Sequence, residues 1–212
     1  MFKIESLYPV EELEKKALEC KTKFDSNKDH DLVELKKIDD KLILDIKYAT
    51  NDNFMGIPLY PTNKAFLQRE AAYALKKAND SLRKKNLGLV IFDAYRPWYV
   101  TKMFWDATPD EMKHFVANPQ NGSSHNRGCA VDVSLYDITK SEIVFMGGGF
   151  DEFTERSYPD YTGGTAQERY YRKLLKNEME KQGFIQFEYE WWHFDFHGWE
   201  KHPVLNIKFN EL

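Results

Sequence analysis

Two histidines and one aspartate are the residues of this sequence best suited to hold a metal ion. His125 lies in the turn-rich segment 123–128 (SSHNRG), Asp132 follows it, and His193 ends the segment 190–193 (EWWH). Two imidazoles and one carboxylate form a three-ligand set that leaves a fourth tetrahedral position for water, as in catalytic zinc sites. Spacing alone leaves a second interpretation open, in which a buried histidine is hydrogen-bonded and Asp132 caps a neighbouring loop.

Glu190 is the candidate general base for a water molecule in such a site. It precedes His193 by three residues, and a general base must lie near the bound water without being a ligand itself. In a regular strand, however, residues three apart point to opposite faces of the sheet. Both side chains can therefore face one metal ion only if Trp191 and Trp192 form a bulge or if the strand has already ended.

The elements that must position these residues can be predicted from the hydrophobic pattern. A helix is predicted over 9–22, a strand over 42–46, a second helix over 63–86, and a buried strand over 89–92 that ends in Asp93-Ala-Tyr-Arg96-Pro97. Two further helices are predicted over 98–105 and from Thr108, where Thr108-Pro109-Asp110-Glu111 has the pattern of a capping box.

The second half of the chain contains the strand that carries Asp132. Residues 129–135 alternate, with three aliphatic side chains on one face and Asp132 on the other, which is typical of a half-buried strand. A helix opened by a capping box is predicted over 165–183, and a last strand over 184–189 places His193 at its end. This order of elements predicts a single α+β domain with flanking helices on a mostly antiparallel sheet.

Length and composition limit the class of protein. The chain has 212 residues, of which 42% are hydrophobic and 30% charged, so it has enough apolar surface for a folded core. One large domain is expected, with residues 1–40 as a helical arm packed on a body of residues 41–212. The formal net charge of −4, without a long run of one sign, disfavours a nucleic-acid-binding protein.

Membrane segments and disulfides are not expected. No stretch approaches the roughly 18 consecutive apolar residues that a membrane helix needs, and the N-terminus MFKIESLYPVEELEKK lacks the apolar region of a signal peptide. We therefore expect a cytoplasmic protein, or a periplasmic one if a leader has been trimmed. Cys20 and Cys129 provide no disulfide framework, and reduced thiols are expected.

Further motifs accompany the candidate metal ligands. They are Tyr48-Ala-Thr with Asn53-Phe-Met-Gly56, Asp93-Ala-Tyr-Arg-Pro97, and Phe150-Asp-Glu-Phe153 with Glu155-Arg-Ser157. Together with the segments 123–132 and 190–193, this sequence resembles the zinc-dependent D-alanyl-D-alanine dipeptidases of the VanX type, with five motifs in family order over about residues 42–200. The resemblance implies the Hedgehog/DD-peptidase fold, a small α+β domain with the metal on one face of the sheet.

The same resemblance implies a role for each matching residue. His125, Asp132 and His193 would bind one zinc ion per chain, and Glu190 would act as general base and acid. Arg96 would stabilise the charge that develops on the scissile carbonyl. Asp151 would receive the ammonium group of a small dipeptide, while Tyr48 and Ser123 would line its pocket. The implied reaction is the hydrolysis of a short D-amino-acid dipeptide, with D-Ala-D-Ala as the first candidate.

Two departures from the family pattern bear on substrate choice. Gly147-Gly-Gly149 replaces the more usual Gly-Thr or Gly-Ser, and Tyr158 stands where VanX-type enzymes tend to have His. One alternative is therefore a D,D- or L,D-carboxypeptidase or endopeptidase that acts on longer peptidoglycan peptides. Another is a non-catalytic zinc- or peptide-binding module on the same fold, although such a module loses the base and Glu190 is present.

Overall fold

The computed structural model describes residues 3–4, 6, 8–152 and 154–212. The α-helices are α1 (Val10–Glu19), α2 (Leu35–Ile38), α3 (Arg69–Arg83), α4 (Trp98–Ala107) and α5 (Ala166–Glu180). The strands are β1 (Leu32–Glu34), β2 (Ile43–Leu44), β3 (Phe66–Gln68), β4 (Leu87–Asp93), β5 (Ala130–Asp137), β6 (Glu142–Ile143), β7 (Phe184–Gln186) and β8 (His193–Phe196). Strands with flanking helices form the α+β class that the sequence predicts.

The main sheet is mostly antiparallel, as predicted. Its strands follow the order β2, β4, β5, β8, β7, while β6 pairs with the far end of β5. Strands β2 and β4 run parallel, and the other pairs are antiparallel. Strand β5 places Asp132 beside Asp93 of β4 on one side and beside His193 of β8 on the other. The pairing therefore sets three polar residues in one row across the sheet.

Strand β5 is buried on both faces, so the half-buried strand predicted from its alternation is wrong in that respect. All residues from Ala130 to Leu135 are buried. Val131 and Val133 belong to the hydrophobic core. The opposite face, which carries Asp132, is covered by the polar residues of the candidate site. A pattern of hydrophobic residues cannot predict burial by polar residues.

Helices α3 and α5 pack against the sheet and against each other. Helix α3 begins at Arg69 and not at residue 63, because Phe66–Gln68 pair with β1 as strand β3. Helix α5 begins with the predicted capping box, in which the Thr165 hydroxyl accepts from the Glu168 N–H and the Glu168 carboxylate accepts from the Thr165 N–H.

The sequence prediction is wrong at two points near the site. The α-helix predicted from Thr108 is instead a 3₁₀ helix over Asp110–Phe115, because the Thr108 hydroxyl donates back to the Phe104 carbonyl (2.7 Å) and caps nothing. The strand predicted over 184–189 ends at Gln186, and His193 begins the next strand. Residues 187–192 therefore form the turn of a hairpin between β7 and β8.

The N-terminal part of the chain packs on the rest of the molecule. Helix α1 lies against α4, and Leu13 and Ala17 are buried in the common core. The Ile4 N–H donates to the Phe54 carbonyl (3.0 Å). The division of the chain at residue 40 stays a prediction. Cys20 and Cys129 are free thiols. Within the described ranges, no helix combines the length and the apolar character needed to cross a membrane.

Candidate active site

Three potential metal ligands meet above strand β5. His125 belongs to a 3₁₀ helix just before β5, Asp132 to β5 itself, and His193 to the start of β8. His125 Nε2 lies 3.2 Å from His193 Nδ1 and 3.4 Å from Asp132 Oδ2. His193 Nδ1 lies 3.1 Å from Asp132 Oδ1. One ligand atom of each residue is within 4.8 Å of the other two, so a single cation can contact all three.

Gly128 makes the turn that leads from His125 into β5. Its backbone has φ +67°, in the left-handed region that favours glycine, and its N–H donates to the His125 carbonyl (3.0 Å). A Cβ atom at this position would collide with the Leu32 side chain. The backbone of this turn thus fixes the position of His125 relative to the start of β5.

Hydrogen bonds outside the cluster fix the tautomers of both imidazoles. His125 Nδ1 lies 2.7 Å from the Ala94 carbonyl, and a carbonyl can only accept, so this nitrogen carries the proton. His193 Nε2 lies 3.0 Å from the Asp195 carboxylate, which accepts its proton in the same way. In the neutral imidazoles, His125 Nε2 and His193 Nδ1 are then the unprotonated nitrogens, and they face each other beside Asp132. Such a set of acceptors needs a cation in its midst.

The electrostatics of the cluster also favour a positive charge. Burial would raise the pKa of Asp132, but the adjacent His125 and His193 hold that pKa below its usual range. Burial would lower the pKa of His193, but Asp195 and Asp132 raise it well above its usual value. The carboxylates that favour a proton on His193 would equally favour a metal cation at its Nδ1, which would take the place of that proton.

Glu190 lies beside this cluster. The hairpin turn ends with the His193 N–H donating to the Glu190 carbonyl (3.3 Å), and Glu190 Oε2 is 3.8 Å from His193 Nδ1. Strand β7 has therefore ended before Glu190, so the side chains of Glu190 and His193 can face the same point. This is one of the two arrangements that the sequence allows. Burial, together with the charge of Asp132, raises the pKa of Glu190 to about 7.

Arg96 is held in place by a buried carboxylate. Its Nε and Nη2 donate to Asp93 Oδ2 (3.0 and 2.7 Å), and Asp93 Oδ1 accepts from the Tyr60 hydroxyl (2.8 Å). The guanidinium lies over the rings of Phe104 (4.8 Å) and Tyr48 (5.2 Å). Among the described residues Nη1 has no hydrogen-bond partner, and Arg96 lines the cavity beside the cluster. The two N–H groups of Nη1 thus remain available to a ligand.

Asp151 and Tyr48 form a second polar pair. The Tyr48 hydroxyl donates to Asp151 Oδ2 (2.8 Å), and both residues are buried. Burial raises the pKa of Asp151 well above its usual value, and the charges of Asp132 and Glu190 add to this effect. A cation next to Asp151 would stabilise its ionised form. The aromatic rings close to Tyr48 are those of Phe54, Tyr60, Phe104 and Phe150.

All the site residues predicted from the sequence line one cavity of about 300 Å³. They are Tyr48, Arg96, Ser123, His125, Asp132, Asp151, Glu190 and His193. The Ser123 hydroxyl is at the cavity wall and accepts from the Asn126 N–H (3.2 Å). The wall therefore combines three potential metal ligands, a carboxylate beside them, a guanidinium and a separate carboxylate.

Sequence reasoning missed two residues that support the site. Asp195 stands two residues after His193, so strand alternation places it on the same face, and this signal was available. Asp93 is the last residue of the buried strand β4, but its bond to Arg96 depends on the backbone turn after β4 and has no periodic signal. Phe153, which belongs to one of the matching motifs, lies outside the described residues.

Known proteins include clear relatives of this chain. The chain matches the family model described as D-ala-D-ala dipeptidase over residues 28–209. It is 36% identical to the D-alanyl-D-alanine dipeptidase of Escherichia coli strain K12, over 85% of this chain and 92% of that protein. It is also 36% identical to the D-alanyl-D-alanine dipeptidase of Enterococcus faecium, over 71% of this chain and 83% of that protein.

A solved structure of the LdcB LD-carboxypeptidase is a more distant match. Its sequence is 21% identical, its TM-score is 0.46, and the match covers 85% of this chain and 71% of that one. The likeness is too weak to carry a functional argument. The family match, in contrast, covers most of the chain, and this protein belongs to the D-ala-D-ala dipeptidase family.

Proposed function

We propose that this protein is a zinc-dependent dipeptidase that hydrolyses D-Ala-D-Ala to two molecules of D-Ala. One observation carries the proposal: two imidazole nitrogens and a carboxylate converge, and a partly buried glutamate lies beside them. Family membership supports the choice of substrate. In the proposed site His125, Asp132 and His193 hold zinc, Glu190 and Arg96 act on the peptide bond, and Asp151, Tyr48 and Ser123 bind the dipeptide.

The donor set fits zinc better than a hard cation. Imidazole nitrogen is a preferred ligand of Zn²⁺, whereas Mg²⁺ and Ca²⁺ take oxygen ligands. His125, Asp132 and His193 are three protein donors, and catalytic zinc sites use three and leave a further position open. When bound, zinc would lower the pKa of its water to about 7 and polarise the scissile carbonyl.

Glu190 is the proposed general base and acid. Its carboxylate accepts a proton from the attacking water while the new C–O bond forms, and it later gives that proton to the amine nitrogen as the C–N bond breaks. A pKa of about 7 suits both steps, because the group can hold or release a proton at neutral pH. It lies next to His193 in the turn after β7, so it would be beside a bound zinc ion, and it does not belong to the three-residue cluster that could hold the ion.

Arg96 is the proposed partner of the carbonyl oxygen. Asp93 binds Nε and Nη2, so the guanidinium is oriented before the substrate arrives. Negative charge develops on the carbonyl oxygen during attack, and a preoriented donor stabilises it by about 3 kcal/mol in a site that excludes water. Asp93 does not touch the substrate in this scheme, and it acts by fixing the position of Arg96.

Asp151 and Tyr48 are the proposed receptor for the substrate ammonium group. The buried Asp151 carboxyl has a raised pKa, and an ammonium group would supply the positive charge that its ionised form lacks. The Tyr48 hydroxyl bond to Asp151 keeps one carboxylate oxygen in a fixed direction. A receptor for a free ammonium group selects a dipeptide over a longer peptide, because an acylated nitrogen has no charge for Asp151 to bind.

A substrate panel tests this proposal. Zinc-loaded protein is incubated with D-Ala-D-Ala, N-acetyl-D-Ala-D-Ala, a D-Ala tripeptide, L-Ala-D-Ala and L-Ala-L-Ala, and released alanine is quantified by chromatography. We expect hydrolysis of D-Ala-D-Ala and little or none of the acetylated analogue. Preference for the acetylated or the longer peptide would favour a carboxypeptidase instead. The Glu190→Gln variant serves as the control for a contaminating peptidase.

A further inference from the structure

We propose that the N-terminal segment, meaning the described residues of 3–27, positions the wall of the cavity that receives the substrate ammonium group. This inference rests on the proposed function and goes beyond it. The segment lies outside the family match, which begins at residue 28. It does not line the cavity itself, but it contacts elements that do.

The first contact is with the loop that carries Phe54. The Ile4 N–H donates to the Phe54 carbonyl (3.0 Å), so the N-terminal segment is bonded to the backbone of a cavity residue. The Phe54 ring is fully buried and lies 6.3 Å from the ring of Tyr48. A shift of this loop therefore moves the Phe54 ring, which packs against Tyr48, the hydrogen-bond partner of Asp151.

The second contact is with helix α4. Helix α1 packs along α4, and its buried side chains are Leu13 and Ala17. Phe104 of α4 lines the cavity, and its ring lies 4.9 Å from the rings of both Tyr48 and Phe54. Helix α1 thus supports α4, the helix that places the Phe104 ring against Tyr48.

A third contact fixes the start of α4. The Phe24 ring packs against Trp98, the first residue of α4, at 6.2 Å. The Asn27 side-chain amide donates to the Val204 carbonyl (2.8 Å), which anchors the end of the segment. Helix α4 is therefore held along its length by α1 and at its first residue by Phe24.

The potential zinc ligands lie on other elements. Asp132 and His193 lie on strands β5 and β8, which pair with each other, and His125 lies in the turn before β5. Arg96 lies over the Phe104 ring, but two hydrogen bonds to Asp93 of β4 orient its guanidinium. Loosening the N-terminal segment should therefore change the fit of the ammonium group and leave zinc and the chemical step nearly unchanged. In kinetic terms KM should change and kcat should not, which is the mark of lost substrate binding.

The test compares a Leu→Ala variant at the contact between α1 and α4 with Leu→Ala variants outside that contact. Leu13→Ala truncates the α1 side of the contact, and we expect KM for D-Ala-D-Ala to rise about fivefold or more with kcat within about twofold. Leu13→Met should restore KM. Leu18 is an exposed residue of the same helix, so Leu18→Ala should match the wild type. Leu82→Ala removes an equally buried leucine from α3 and should lower the unfolding temperature without changing KM.

A second variant keeps the proposal testable if Leu13→Ala does not fold. Ile4→Pro removes the N–H that bonds to the Phe54 carbonyl, whereas Ile4→Val keeps it. We expect a raised KM in the first and an unchanged KM in the second. Unchanged KM in both Leu13→Ala and Ile4→Pro, or an equal rise in Leu82→Ala, would overturn the inference alone. A wild-type protein that does not hydrolyse D-Ala-D-Ala would overturn the proposed function as well.

Discussion

The two ends of the cavity are built in different ways. The metal end, defined by His125, Asp132 and His193, is carried by paired strands and the turn before them, and both imidazoles have a second partner outside the cluster. The ammonium end, defined by Asp151 and Tyr48, is carried by a loop and a 3₁₀ helix and is joined by one hydrogen bond. Asp151 has φ +50°, a backbone conformation that non-glycine residues rarely adopt.

Under the proposed function, this difference separates the source of chemistry from the source of specificity. Sheet register fixes the metal end, and sites on strands hold their geometry more tightly than sites on loops. The ammonium end depends on rings that come from several separate segments, among them Phe54, Phe104 and Phe150. We therefore expect changes at the metal end to abolish the reaction and changes at the ammonium end to alter substrate affinity.

The largest effect is expected from His125→Ala. Removing one of three ligands should reduce zinc to well below one per chain and reduce hydrolysis to background. Wild-type protein should gain thermal stability when zinc is added, because a ligand that binds the folded state stabilises it, and the variant should gain little. Metal analysis after dialysis and thermal unfolding measure these outcomes. His30 lies in an exposed loop, so His30→Ala should keep its zinc. A variant His125→Ala with stoichiometric zinc would contradict the ligand set.

The next largest effect is expected from Glu190→Gln. The amide cannot accept the proton of the attacking water, so kcat should fall by about 10³-fold while zinc content stays at one per chain. Steady-state kinetics and metal analysis of the same sample separate the two quantities. Glu188→Gln changes an exposed residue of the same hairpin turn and should leave kcat unaltered. Near wild-type turnover by Glu190→Gln would remove this residue from the mechanism.

The sequence predicts part of the metal end, because strand periodicity and a short turn determine that part. Alternation separates Asp132 from the core face of β5, and Gly128 gives the turn that brings His125 beside it. The pairing of Asp132 with His193 requires the sheet order, which no local pattern contains. For this reason the residues alone leave the metal site as one of two interpretations, and the family resemblance adds the rest.

The ammonium end could not be predicted from the residues in the same way. Asp151 and Tyr48 are about a hundred positions apart, and their contact depends on a loop conformation with positive φ. The wrong extension of the last strand to residue 189 has a related cause: the alternating apolar residues continue past Gln186, but the chain turns there to bring Glu190 to the cavity. Tertiary contacts override a local pattern in both cases.

A smaller effect, confined to the metal end, is expected from Asp195→Ala. Its carboxylate accepts the proton of His193 Nε2 (3.0 Å), which orients the ring and fixes the tautomer. Loss of such a partner commonly weakens metal affinity by about 10- to 100-fold. Competition with a chelator of known zinc affinity measures the change, and kcat at saturating zinc should fall much less. Asp137→Ala, at the far end of β5, should leave zinc affinity as it is. Unchanged zinc affinity in Asp195→Ala would mean that the metal end does not depend on the hydrogen bond between Asp195 and His193.

The smallest effect is expected at the ammonium end, from Asp151→Asn. The amide has the same shape but no charge, so loss of one charged hydrogen bond to the substrate should raise KM for D-Ala-D-Ala about tenfold, with little change in kcat. Zinc affinity should not change, which is the opposite of the result for Asp195→Ala. Tyr48→Phe removes the hydroxyl that bonds to Asp151 Oδ2 and should raise KM by less, because the charge remains. A fall in kcat with KM unaltered would place Asp151 in the chemical step, and the two ends of the cavity would then no longer divide chemistry from specificity.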